Sequence, residues 1–259
     1  MTLRPLYAPT LLVFASLFAT VSVAGAQPEP VAVPDSVTAE RVLAGSELYN
    51  GGSCAACHAV GGRGVGRRAP DLSDIEWLHS EGDFDGIFQA IFWGVPEDRM
   101  KAVTPRPFEM HPRGGMTIDR EQMKALAAYV WTVAHPETDP FVAEQARFLD
   151  LARRGGAGEA LGLFRAARGR DPEHLLLPEA GVNRLGYEFL PGDPDTAIDV
   201  FRLNVELHPE SGNVYDSLGE AYMIAGDRDR AIENYRRSLE LDPANENAVE
   251  KLQELGASP

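Results

Sequence analysis

The two cysteines of this sequence lie three residues apart, and a histidine follows them at once. Cys54, Cys57 and His58 occur in the stretch GGSCAACHAVGG, and the chain of 259 residues contains no other cysteine. Positions three and four apart on a helix share one face. If this stretch is helical, both thiols and the imidazole can therefore reach one bound group.

Three kinds of site use a Cys-x-x-Cys pair. A redox disulfide needs a thioredoxin-like βαβ context, and no strand pattern surrounds this pair. A structural zinc ion needs four ligands, but there is no third thiol, and the remaining histidines show no paired ligand spacing. Covalent haem attachment has the specific signature C-x-x-C-H. The sequence therefore predicts one haem c, joined by thioethers to Cys54 and Cys57, with His58 as proximal iron ligand.

Residues of about 40–135 resemble class I cytochromes c. AGSELYNGGSCAACH is similar to the family's N-terminal helix, with one extra residue between Tyr49 and Cys54. IDREQMKALAAYVWTVAH resembles the C-terminal helix, which in the family crosses the first helix near Gly45. Asp119 at its start, with a glutamine three residues on, predicts a capping box. The residues predicted for its inner stripe are Met123, Leu126, Ala127 and Val130.

The resemblance also implies residues around the haem. GRRAPDL is similar to the family loop in which a proline carbonyl accepts the N–H of the proximal histidine, which assigns that role to Pro70 and haem packing to Leu72. Ala69 stands where the family usually has glycine. The predicted helix FDGIFQAIFWG supplies candidate wall residues, namely Ile87, Ile91 and Phe92.

A class I site with six iron ligands needs a methionine before the C-terminal helix. Met110, followed by a proline and two glycines, is the preferred axial ligand, and Met100 is the runner-up. Met116 lies too close to the helix, whereas His111 would give a bis-histidine iron, and an open position is the remaining alternative. A thioether ligand favours ferrous iron and raises the reduction potential.

Charge limits the classes of partner. The formal net charge of −15 disfavours nucleic acid and anionic lipid. The acidic excess is greatest in residues 136–259, with 24 acidic against 13 basic side chains. Arginines cluster near the motif, and they either pair with haem propionates and form a basic docking rim, or are solvated loop charges. The arginines concerned are Arg63, Arg67 and Arg68, followed later by Arg106 and Arg113.

The N-terminus has the pattern of a secretory signal peptide. Arg4 precedes an apolar run of about 11–23, and Ala24-Gly25-Ala26 forms a small-x-small cleavage site. We expect cleavage after Ala26 and export, in a bacterium to the periplasm; an uncleaved anchor helix is the alternative. Residues 27–37 are rich in proline and predict a linker.

The second half of the sequence repeats itself. AIDVFRLNVELHP at 197–209 matches AIENYRRSLELDP at 231–243 with an offset of 34 residues. This pattern resembles the tetratricopeptide repeat. It predicts a cytochrome domain over 38–135 and a helical module over 141–259, with clear units at about 179–209 and 212–243. A fainter unit keeps the same spacing at Ala160, Phe164 and Pro172.

The predicted fold class is therefore all-α, with a class I cytochrome c fold followed by a short tetratricopeptide α-solenoid. The predicted function is one-electron transfer by an exported monohaem c-type cytochrome that is not itself an enzyme. Redox partner proteins would dock through the basic surface, the repeat groove or both. The alternatives are a haem enzyme or sensor resembling a peroxidase, and the electron-accepting subunit of a dehydrogenase complex.

Overall fold

The computed structural model describes residues 31–65, 69–99, 109–154, 157–172 and 176–258. In these ranges every regular element is helical, apart from one isolated bridge between Val95 and Met110. The predicted all-α class is confirmed. The α-helices are α1 (Ala39–Gly51), α2 (Cys54–His58), α3 (Phe84–Trp93), α4 (Arg120–Ala134), α5 (Pro140–Arg153), α6 (Ala157–Arg170), α7 (Glu179–Phe189), α8 (Pro194–Leu207), α9 (Gly212–Ile224), α10 (Arg228–Leu241) and α11 (Glu246–Glu254).

Several sequence predictions fall outside the described ranges. These are the signal peptide, its cleavage after Ala26, Arg67, Arg68, Met100 and Arg106. Within the described ranges, no helix is both long and apolar enough to cross a membrane.

The two long helices of the first half cross at a glycine. A Cβ atom on Gly45 of α1 would lie 2.1 Å from the carbonyl oxygen of Ala125 and 2.7 Å from the Cβ of Tyr129. Only a residue without a side chain therefore allows α1 and α4 to approach this closely. The predicted capping box at the start of α4 is confirmed, because Asp119 and Gln122 each accept a hydrogen bond from the other's backbone N–H.

Helix α4 is buried on more than its predicted stripe. The four stripe residues are all buried, but so is every other residue from 125 to 134. The sequence pattern predicted a single apolar stripe on this helix, as for a helix that packs on one neighbour. In the structure α4 also contacts α3, α5 and the short 3₁₀ turn Val60–Gly62.

The helices of the second half pair as the repeat predicts. Within each pair, a glycine of the first helix lies against an aromatic ring of the second. A Cβ on Gly186 of α7 would lie 2.5 Å from Phe201 of α8, and one on Gly219 of α9 would lie 3.1 Å from Tyr235 of α10. The two glycines occupy the same position in the two units. Helix α11 covers the exposed end of the last pair with buried Ala248 and Leu252.

The apolar core continues across the connection between the two halves. One cluster of buried residues extends from Val42 of α1 to Leu203 of α8, and a second extends from Leu190, directly after α7, to Leu252 of α11. Phe148 of α5 and Phe164 of α6 meet edge to face within the first cluster, with centroids 5.2 Å apart. Helices α5, α6 and α7 therefore share their core with the first half of the chain.

We expect Gly45→Ala to destabilise the protein by roughly 1–3 kcal/mol, because the added methyl group overlaps backbone atoms of α4 that cannot move aside. Gly162→Ala in α6 is the matched control, since nothing lies within 4 Å of its added Cβ. That variant should be more stable by about 0.5–1 kcal/mol. Urea unfolding measures both changes, and equal stabilities for the two variants would contradict the crossing described above.

Candidate functional site

Helix α2 places the predicted site residues beside two apolar cavities. Its five residues run from Cys54 to His58, and Cys57 is exposed while Cys54 is partly buried. Two adjoining cavities open beside this helix. Both are lined by Cys54, His58, Pro70, His79, Val95 and Met110, and Cys57 lines the second cavity.

The first cavity has a mostly apolar wall. Of the predicted wall residues, Leu72, Ile87 and Ile91 line it, together with residues that the sequence did not single out. These are Tyr49, Trp77, Leu126 and Val130, among others. Phe92 lies outside both linings and packs against the rings of Phe88 and Trp93.

The imidazole of His58 is held in one tautomer. Its Nδ1 lies 3.0 Å from the carbonyl oxygen of Pro70, and because a carbonyl can only accept, Nδ1 must carry the proton. Burial lowers the pKa of His58, although the Pro70 carbonyl acts in the opposite direction. The ring is therefore neutral at pH 7 and keeps the Nε2 lone pair, which is the form that binds a metal.

The thiol of Cys54 is also kept neutral. Burial raises its pKa to about 11, so it stays protonated near neutral pH. A redox-active Cys-x-x-Cys pair instead has a lowered thiol pKa, which favours the thiolate. The environment of Cys54 thus favours a cysteine used as a covalent linker over one used in disulfide exchange.

Met110 is fixed at the cavities by the isolated bridge. Its N–H donates to the carbonyl oxygen of Val95 at 2.9 Å, and its carbonyl oxygen accepts from the N–H of Val95 at 2.8 Å. Gly94 makes this possible, because its φ of +70° suits glycine and an added Cβ would lie 2.1 Å from the Met110 oxygen. Met116 lies outside both linings, whereas His111 lines the second cavity with its side chain 66% exposed.

The chain turns sharply after His58. Ala59 has φ of +62° and ψ of 165°, a region that is nearly restricted to glycine and that costs other residues about 1–3 kcal/mol. Gly61 and Gly62 also have positive φ. The turn returns to the helix, where the N–H of Gly64 donates to the His58 carbonyl at 2.8 Å.

A buried series of hydrogen-bonded polar side chains, which the sequence did not reveal, contacts the backbone of this turn. Asn50 accepts the N–H of Gly61 at 3.0 Å and donates to the Tyr129 hydroxyl, also at 3.0 Å. That hydroxyl donates to Gln145, whose amide group donates in turn to Ser46. Burial raises the pKa of the Tyr129 hydroxyl to about 12, so this series of side chains carries no charge near neutral pH.

The predicted arginine group is only partly described. The guanidinium of Arg63 lies 3.9 Å from the carboxylate of Asp150 on α5, and Arg113 lies over the ring of Phe92 at 5.8 Å. Two other residues of potential importance were missed by the spacing rules. His79 and Tyr49 both line the first cavity, and neither stands at a ligand-like spacing from another residue in the sequence.

Two family models match the chain. Residues 42–134 match "Cytochrome c", and residues 212–245 match "Tetratricopeptide repeat". The chain combines a cytochrome c domain with a tetratricopeptide repeat.

Two curated relatives carry the name of an oxidase subunit. The "Cbb3-type cytochrome c oxidase subunit FixPc" of Rhizobium leguminosarum bv. viciae is 30% identical over 174 residues, which is 59% of this chain and 58% of that protein. Subunit FixP of Sinorhizobium medicae (strain WSM419) is 35% identical over 106 residues, 41% of this chain and 35% of that protein. The chain thus spans only 58% and 35% of the lengths of these relatives.

A solved structure of a tetratricopeptide repeat is similar to part of this chain. It is the "First TPR of Spaghetti (RPAP3) bound to HSP90 peptide SRMEEVD", aligned over 45% of this chain and 90% of that chain. The identity is 19% and the TM-score is 0.31, so the likeness carries no information on a ligand.

The cytochrome c domain implies covalently bound haem c, and the residues present fit such a group. Cys54 and Cys57 offer two thiols, His58 offers a neutral imidazole, and the wall is apolar. The Tyr49 hydroxyl gives a further sign. It is buried at the cavity wall and has no hydrogen-bond partner among the described residues. Burial raises its pKa well above the ordinary value, so it remains a donor that an acceptor on a bound group would satisfy.

Proposed function

We propose that this chain is an exported monohaem c-type cytochrome that transfers one electron at a time to or from a partner protein. The observation that carries the proposal is the arrangement of α2, which presents both thiols and a neutral imidazole to the second of the two adjoining cavities. Haem bound there would supply a metal that alternates between the ferric and ferrous states. Export is proposed from the N-terminal sequence pattern.

Each of the three motif residues has a distinct proposed role. Cys54 and Cys57 would hold the porphyrin by thioether bonds, which prevents loss of the cofactor outside the cytoplasm. His58 would bind the iron through Nε2, while its Nδ1–H donates to Pro70 and so fixes the orientation of the ring. The apolar wall, including Leu72, would exclude water and favour a high reduction potential.

The names of the relatives suggest the class of partner. Both are subunits of a cbb3-type cytochrome c oxidase. We infer that this chain exchanges electrons with a membrane oxidoreductase of the oxidase class. In this role it would be an electron-carrying component and not the catalytic subunit.

Covalent haem attachment is tested by changing the two cysteines. Wild-type protein produced with a haem maturation system should contain one haem per chain, retained in acidified organic solvent. Cys54→Ala/Cys57→Ala should release all of its pigment, because both thioethers are absent. Pyridine haemochrome absorbance measures the haem that stays with the protein.

Ser53→Thr is the matched control, because it changes the residue directly before the motif but keeps the hydroxyl that donates to Gly114 and leaves both thiols. It should retain its haem in full. A colourless wild-type protein, or a second haem per chain, would contradict the proposal.

Met110 is the proposed second iron ligand. It lines both cavities together with His58, and the bridge to Val95 holds its backbone in place. A thioether on the iron stabilises the ferrous state. The runner-up, Met100, lies outside the described residues.

We therefore expect Met110→Ala to lose the far-red absorption band by which c-type cytochromes report methionine–iron ligation, and to lower the reduction potential. Met116→Ala is the matched control and should keep both properties, because Met116 does not line the cavities. Should Met100→Ala abolish the band while Met110→Ala retains it, the assignment of Met110 would be wrong.

The repeat half is proposed to dock the partner. Side chains of α7, α9 and α11 meet on one face of this half. Tyr187 of α7 donates to Glu220 of α9 at 2.7 Å, and Asn247 of α11 donates to Asp216 of α9 at 2.9 Å. We call these four residues the inner face. Stacked repeats commonly form extended binding surfaces of this kind.

A charge reversal on the inner face tests this docking. Glu220→Lys should slow oxidation of the reduced cytochrome by membranes of the source organism about tenfold, which equals about 1.4 kcal/mol of lost binding. The haem spectrum should not change. Glu233→Lys is the matched control, since Glu233 is exposed on α10, outside the inner face. Equal rates for the two variants would argue against docking at the inner face.

A further inference from the structure

Side chains from the second half of the chain hold the turn that directly follows α2. Val60 is fully buried, and both of its backbone polar groups bond to these side chains. Its N–H donates to Glu188 of α7 at 3.1 Å, and its carbonyl accepts from Arg153 of α5 at 2.8 Å. The same arginine nitrogen donates to Glu188 at 3.0 Å. We call this closed set, formed by Arg153, Glu188 and the Val60 backbone, the Val60 clamp.

The clamp lies next to the strained residue of the site. Ala59 separates His58 from Val60 and has its φ in the region that favours glycine. Such a conformation persists only where the surroundings hold it on both sides. On one side the His58 imidazole is bonded to Pro70, and on the other side the Val60 backbone is bonded to the clamp.

Two more contacts from the second half surround α2. The Arg184 guanidinium of α7 donates to the carbonyl of Gly52 at 3.1 Å, just before the helix. After the helix, Leu149 of α5 packs on Gly61 so closely that an added Cβ would lie 2.2 Å from it. Helices α5 and α7 therefore hold the chain on both sides of the motif.

We propose that Arg153 and Glu188 are positioning residues for His58, so that the helical half of the chain forms part of the haem site. This inference rests on the proposed function, in which His58 binds the haem iron. Without the clamp, Ala59 relaxes toward an unstrained conformation and the imidazole turns away from Pro70. The weaker Nδ1–H···O bond makes the imidazole a poorer electron donor to the iron. Ferric iron is then less stabilised, and the reduction potential rises.

Two substitutions separate this effect from simple electrostatics. Glu188→Ala removes a negative charge and Arg153→Gln removes a positive charge, so their purely electrostatic effects on the potential have opposite signs. Positioning predicts a rise for both variants. We expect a threefold to tenfold change in the redox equilibrium constant, which is about 28 to 59 mV for a one-electron couple. Arg153→Gln also provides the test should Glu188→Ala fail to fold.

Glu206→Ala is the matched control, because its carboxylate pairs with Arg165 on the same half of the chain and belongs to neither the clamp nor the cavity linings. Its potential should equal that of the wild type. A rescue variant completes the series. Glycine tolerates the conformation of residue 59, so adding Ala59→Gly to Glu188→Ala should reverse the part of the potential shift that was caused by strain at Ala59, and Ala59→Gly alone should cause no such shift.

The experiment measures haem content and then the midpoint potential of each purified, haem-loaded variant. Shifts of opposite sign for Glu188→Ala and Arg153→Gln, no shift in either, or an equal shift in Glu206→Ala would overturn the positioning role. Failure of Ala59→Gly to reverse any of the shift would overturn it as well. A wild-type chain that carries no haem would instead overturn the proposed function, so the two failures are distinguishable.

Discussion

The site depends on one constraint: five consecutive residues must present two thiols and an imidazole to one side, and the chain must then turn away without displacing the imidazole. A five-residue helix is not stable by itself, since isolated helices of fewer than about 12 residues are marginal in water. The geometry of α2 is therefore set from its two ends. Ser53 donates to the carbonyl of Gly114 at 2.6 Å before the helix, and the bond between His58 and Pro70 fixes its last residue.

Burial has the same consequence for three titratable groups at the cavities. It raises the pKa values of Cys54 and Tyr49 and lowers that of His58, so that all three are uncharged near neutral pH. An uncharged imidazole keeps a lone pair for a metal, and an uncharged thiol does not need a counterion. The cavity is thus suited to a large, mostly apolar group that meets a few specific donors and acceptors at its edge.

The sequence predicted the elements of the fold better than their joint packing. Short-range patterns were sufficient for the capping box at Asp119 and for the 34-residue repeat. The crossing at Gly45 was instead implied by the resemblance to class I cytochromes c. The contacts made by Glu188 and Asn50 were not predictable in this way. Glu188 reaches a backbone N–H 128 residues away. A polar side chain with a distant backbone partner leaves no periodicity in the sequence.

Helix α7 links the two halves in a way that separate modules would not. Repeat units normally contact only their neighbours, so a structural change in one unit affects the adjacent units first. Here Tyr187 and Glu188 are consecutive, yet the first bonds to α9 on the inner face and the second bonds to the turn after His58. A partner that displaced Tyr187 would therefore act on the helix that holds Val60. The proposed docking at the repeats and the proposed haem site would in this way be coupled through one helical turn of α7.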